Sequence, residues 1–115
     1  MTFNDVERKR IERAVKAFMA KRQPPPEIRD QLDLGYRIEG YSVELFEIRP
    51  QWNDPTVIRQ HSFAKTTYVK SKDLWKLYWM RADLKWHAYL PAAEVQKIEE
   101  VLEIIANDEN CCFFG

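Results

Sequence analysis

Two histidines, two cysteines and a scatter of carboxylates are the groups in this chain that could ligate a metal or attack a substrate. His61, His87, Cys111, Cys112 and Asp83 include the donor types a zinc site uses. None stands at a paired ligand spacing such as C-x2-C or H-x3-H, so no metal site is expected. Cys111 or Cys112 with His87 would be the pairing for a thiolate nucleophile. Beside Phe113 and Phe114, the two cysteines read instead as packing residues. Asp83 and Glu39 fall at a turn and a strand end with no evident partner for acid–base work, so no catalytic residue is assigned. The three glycines, Gly35, Gly40 and Gly115, leave no loop to cradle phosphates, and no cofactor is expected.

One set of side chains does form a pattern. The stretch from Asp73 to Tyr89 alternates with a period of two in both halves and holds three of the four tryptophans. That periodicity predicts a hairpin. A two-residue turn at Ala82-Asp83 would pair Trp79 with Trp86, Leu77 with Ala88 and Trp75 with Leu90 on one apolar face. Lys76, Tyr78, Met80, Lys85, His87 and Tyr89 then fall on the other. Extending the pairing to the preceding strand gives three rows: Phe63, Met80, Lys85; Lys65, Tyr78, His87; Thr67, Lys76, Tyr89. Lys65, Lys76, Tyr78, Lys85, His87 and Tyr89 are therefore the candidate binding residues, on a face with no acid in those rows. Stacking rings among cations suit single-stranded nucleic acid. Lysine stems and tyrosine rings are also ordinary cover for a half-solvated sheet, and Phe63, Met80 and Tyr78 would equally suit a dimer interface.

These residues must be positioned by the rest of the chain. Asn4 and Glu7 fit a capping box, and Val6, Ile11, Ala14, Val15 and Phe18 recur at helical spacing. A first helix over about residues 4–22 is expected, stopped by Pro24-Pro25-Pro26. Its Arg8-Lys9-Arg10-Arg13 cluster reads as a solvated face, with phosphate contact as the alternative. Leu34, Tyr36 and Ile38 begin a hairpin turning at Gly40-Tyr41, with Ile38 opposite Val43, Tyr36 opposite Leu45 and Arg37 opposite Glu44. Residues 51–61 read as a loop in which Trp52 folds back as a lid on the core. Phe63–Val69 is a third strand that turns at Ser71-Lys72 and pairs Tyr68 with Trp75, Thr66 with Leu77 and Ala64 with Trp79. Pro91 suits the first turn of a second helix, about residues 91–107, with Val95, Ile98, Leu102 and Ile105 inward. The apolar tail from Cys111 to Phe114 is expected to dock.

The expected architecture is α+β: a five-stranded antiparallel meander flanked by an N-terminal and a C-terminal helix, in a single domain over residues 1–115. With 115 residues and 45% hydrophobic side chains the chain can bury one core. Eighteen basic groups balance eighteen acidic ones, which gives no global attraction to polyanions. The distribution is uneven: residues 62–90 carry six basic groups against two acidic, and residues 91–115 one against six. The charged opening MTFNDVERKR is no secretory signal and no apolar run is long enough to span a membrane, so a cytoplasmic, non-membrane protein is expected.

Several stretches resemble one small bacterial family of uncharacterised proteins, a domain of unknown function. They are RQPPPEIRDQLDLGYRIEG (22–40), SVELFEIRP (42–50), AKTTYVKS (64–71), WKLYWMRADLKWHAY (75–89) and the CFFG ending (112–115). Tyr41 departs from the more polar turn residue expected there. The resemblance implies a stand-alone domain and carries no activity, cofactor or catalytic residue with it. The functional expectation is a non-enzymatic binding module using the outer sheet face, with a protein partner or self-association. The alternatives are single-stranded nucleic-acid binding on that face, and a small enzyme with His87, Tyr78, Lys65 and Asp83 around a pocket.

Overall fold

The computed structural model describes residues 3–108 and residue 113. Helix α1 (Asp5–Arg22) begins at a complete capping box: the Glu7 amide donates to Asn4 Oδ1 at 2.8 Å, and the Asn4 amide to Glu7 Oε1 at 3.1 Å. It buries Ile11, Val15 and Phe18. Val6 does not join them and is exposed. At ~100° per residue it stands about 140° round the helix from Ile11. Phe3 takes that place, packing its ring among Tyr41, Tyr68 and Trp75.

The sheet runs β1 (Asp33–Glu39), β2 (Ser42–Gln51), β3 (Asp54–Val69), β4 (Leu74–Met80) and β5 (Trp86–Ala88) in meander order, all antiparallel. The first hairpin has the expected register, Tyr36 with Leu45, Arg37 with Glu44 and Ile38 with Val43. Gly40 carries its positive φ of 56°, which is why glycine suits that position. The β3–β4 register is also as expected: Ala64 with Trp79, Thr66 with Leu77, Tyr68 with Trp75.

The β4–β5 register differs by one residue. Met80 pairs with Trp86, Trp79 with His87 and Tyr78 with Ala88. The loop closes between Arg81 and Lys85, with the Leu84 amide bonded back to the Arg81 carbonyl and Leu84 at φ 61°. Three residues therefore turn the chain instead of two. This is the hairpin class in which the last loop residue is left-handed, and the added residue sends every β5 side chain to the other face.

Two further departures follow from backbone pairing. The segment expected to open the second helix instead makes a single 3-10 turn at Leu90–Ala92 and a short strand, β6 (Glu94–Val95), on the same edge of β4 beyond β5. β5 covers only three residues of β4, and β6 covers Trp75 and Lys76, burying Val95. Helix α2 is thus Ile98–Asn107, with Ile98, Val101, Leu102 and Ile105 buried. Residues 51–61 are largely strand, because β2 and β3 run on as a two-stranded arm past the ends of β1 and β4. Trp52 sits in the turn at its tip and is 93% exposed. It is not a lid.

Helix α1 packs on α2 and β1, and α2 on β4 and β6. Ile11, Val15 and Phe18 share one core with Val43, Leu45, Leu77, Val101 and Ile105. Both helices therefore lie on the same face of the sheet. Phe113 docks on that core, its ring 5.0 Å from Tyr89. The expectations for Cys111, Cys112 and Phe114 lie outside the described residues.

Candidate functional site

With both helices on one side, the outer face of the sheet is left open by the described elements. Strand alternation places one row across it from Arg37 through Glu44, Lys65 and Tyr78 to Ala88. A second row runs Glu39, Ser42, Thr67, Lys76, Glu94. Met80 and Trp86 form a third pair. Of the candidate binding residues, the face keeps Lys65, Lys76 and Tyr78. Lys85 closes the β4–β5 loop opposite Arg81 and is exposed, while His87 and Tyr89 face the helix side, Tyr89 buried. The shifted register brings Trp86 onto the face in their place. Phe63, expected beside Met80, is the extra residue of a bulge in β3 and lies in the core.

The electrostatics of the face also differ from the expectation. Glu44 stands directly opposite Lys65 and within 3.7 Å of Arg37, and it accepts the Ser62 hydroxyl. Glu94 stands opposite Lys76. Acids and bases therefore alternate along both rows. Phe46 lies over Gly35 with the Arg37 guanidinium 4.9 Å above its ring. The Lys65 ammonium approaches the Trp86 ring at 6.0 Å, within cation–π range. Tyr78, Met80 and Trp86 are each half-buried, forming an apolar and aromatic patch bordered by these charges.

His87 belongs to a separate place. Its Nε2 lies 2.8 Å from Asp83 Oδ2, and Asp83 Oδ1 accepts the Lys85 amide at 3.0 Å. The hydrogen bond to His87, then that backbone N–H, hold the Asp83 carboxyl below its ordinary range. A groove of about 400 Å³ opens beside them, lined by Trp79, Arg81, His87, Tyr89, Leu90 and Pro91 among others. Of the set expected to form an enzyme pocket, His87 and Asp83 meet, but Tyr78 and Lys65 lie on the other face of the sheet. Among the described residues no Ser, Thr or Cys lines the groove. Among the described residues no three His, Cys, Asp or Glu side chains gather as a metal site, and no helix is long and apolar enough to cross a membrane.

Trp86 and Glu94 are the functional candidates that the sequence reading misplaced. Their positions depend on a loop length and a short strand that residue types alone did not signal. No curated protein and no solved structure matches this chain. A family model does, over residues 3–115: the chain belongs to the family described as a domain of unknown function, DUF3024.

Proposed function

We propose that the chain is a non-enzymatic cytoplasmic binding module that engages a protein partner on its outer sheet face. Tyr78, Met80 and Trp86 are the anchor in this reading. The observation that carries it is the packing of α1 and α2 on one side of the sheet, with an aromatic patch on the other. Interfaces draw most of their affinity from a few aromatic and arginine anchors surrounded by a polar rim. Here the rim is the alternation of Arg37, Glu44 and Lys65 and of Lys76 and Glu94. Mixed charge favours a protein surface of mixed charge over a polyanion, because Glu44 and Glu94 would stand against phosphates.

The test is site-specific photocrosslinking in cells. A benzophenone side chain at position 78 is expected to yield a defined protein adduct, whose mass tells a second copy from another protein. The same group at Val6, exposed on α1, is expected to yield none. Trp86→Ala should abolish the adduct. Equal yields from both positions, or none from position 78, would remove the proposal. Salt-dependent binding of a single-stranded oligonucleotide that weakens on loss of Lys65 or Lys76 would replace it with the nucleic-acid reading.

A further inference from the structure

Among the described residues the groove beside His87 is open on the helix side of the sheet, and no residue of α1 or α2 lines it. Its floor includes Trp79, the cross-strand partner of His87. The Arg81 guanidinium carbon lies 5.5 Å from the Trp79 ring centroid. Among the described residues no carboxylate lies within ion-pair distance of Arg81. The nearby acid, Asp83, is already engaged by the His87 ring and the Lys85 amide. A guanidinium at that distance from the indole ring is attracted to it by cation–π interaction and keeps its N–H donors, whose fork matches the two oxygens of a carboxylate.

Among the described residues the remainder of the lining is apolar or aromatic. Leu90 is 82% exposed and follows Tyr89, whose side chain is buried. Pro91 and Ala88 complete the wall. A volume of about 400 Å³ falls in the range of small-molecule sites, which combine apolar walls with a few placed polar groups. Among the described residues Arg81 is the one guanidinium of the lining, it has no close ion pair, and its charge reaches Asp83 only at longer range, so it suits one negative charge. A phosphate dianion would call for a second cation, and the other basic group in the lining, His87, is committed to Asp83. We infer that this groove binds a carboxylate carried on an aromatic or branched apolar body. Arg81 takes the carboxylate, Trp79, Leu90 and Pro91 take the body, and the Asp83 bond fixes the His87 ring as one wall.

That chemistry has two sources, a free organic acid or the C-terminus of a peptide, and paired probes distinguish them. Phenylpropionate is compared with phenylpropanol, and a short peptide ending in Phe with its C-terminal amide, by titration against the full chain in two-dimensional amide NMR spectra. Binding by the charged member of at least one pair is expected at about millimolar concentration, the scale for so few ligand atoms. The shifts should centre on the Trp79 indole, Arg81 and His87. Arg81→Gln should weaken it about tenfold or more, as loss of a charge-assisted bond does. Arg81→Lys, which keeps the charge and loses the fork, should fall between. Signals away from the groove report that each variant is folded. Equal binding of the neutral members, full binding by Arg81→Gln, or no shift with either charged probe would overturn the inference. The outer-face variant Trp86→Ala should leave it untouched, which separates this site from the protein-binding face.

Discussion

Lys65 and Trp86 reach each other across β4, with the ammonium 6.0 Å from the indole ring. They belong to β3 and β5, and the intervening Tyr78 is the partner of Lys65 on one side and of Ala88 on the other. The contact depends on the three-residue loop between Arg81 and Lys85. With a two-residue loop Trp86 would face the helices and His87 would face solvent beside Tyr78.

The tryptophans should therefore differ sharply in their contribution to stability. Trp75 is 6% exposed, paired with Tyr68 and Val95 and in contact with Phe3. Trp75→Ala is expected to cost ~3–5 kcal/mol, as for large aromatics cut from cores. Trp86→Ala, on the open face, should cost about 1 kcal/mol, the scale of surface and cation–π contacts. Urea denaturation of the two variants checks the difference, and equal losses would place Trp86 in the core.

Leu84 is 81% exposed at φ 61°, a backbone region that costs a residue with a Cβ of order 1 kcal/mol. Its side chain packs on little, so relief of strain should outweigh the extra chain entropy of glycine. Leu84→Gly is expected to raise stability by about 0.5 kcal/mol with the β5 register unchanged. The midpoint of denaturation and the cross-strand proton contacts between Met80 and Trp86 measure the two parts separately.

Leu84 also explains what the sequence left hidden. Gly40 announces its own turn, and the register of the hairpin it closes was legible, Tyr36 with Leu45, Arg37 with Glu44 and Ile38 with Val43. Leu84 adopts a left-handed conformation without being glycine or asparagine, so nothing in its type marks a third loop residue. The β3–β4 register was legible, and with it Lys65, Lys76 and Tyr78 on the outer face. Lys85, His87 and Tyr89 depended on the β4–β5 register and were misplaced together. Glu94 looked helical because Val95, Ile98 and Leu102 share a spacing of three and four, yet the open edge of β4 claimed its backbone. The arm beyond β1 was obscured by Pro50 and Pro55, which are tolerated where a strand lacks a neighbour on one side.

Gly35 is the position where the outer face has no room for a side chain. A Cβ there would come within 2.4 Å of the Phe46 ring and 3.3 Å of Ile48. Gly35→Ala should cost ~1–3 kcal/mol by overpacking. Because the two nearest obstructing atoms belong to the Phe46 ring, Phe46→Leu added to Gly35→Ala should recover part of that loss. A double-mutant cycle measures the coupling, and strictly additive losses would mean that the strain lies in the backbone.

The pair of Asp83 and His87 predicts a pH response with a definite sign. Asp83 is held below its ordinary range first by the hydrogen bond to His87 and second by the Lys85 amide. A carboxyl with a depressed folded pKa favours the fold in its charged form. Its contribution is present above the unfolded value of about 3.9 and is lost as pH falls through the lower folded value. NMR titration of the Asp83 carboxyl carbon should show a midpoint below that of a free aspartate. His87→Ala should move the midpoint up, only part of the way, because the Lys85 amide remains. A midpoint for Asp83 that ignores the removal of His87 would show that the two side chains do not meet in solution, and the fixed wall of the groove would go with it.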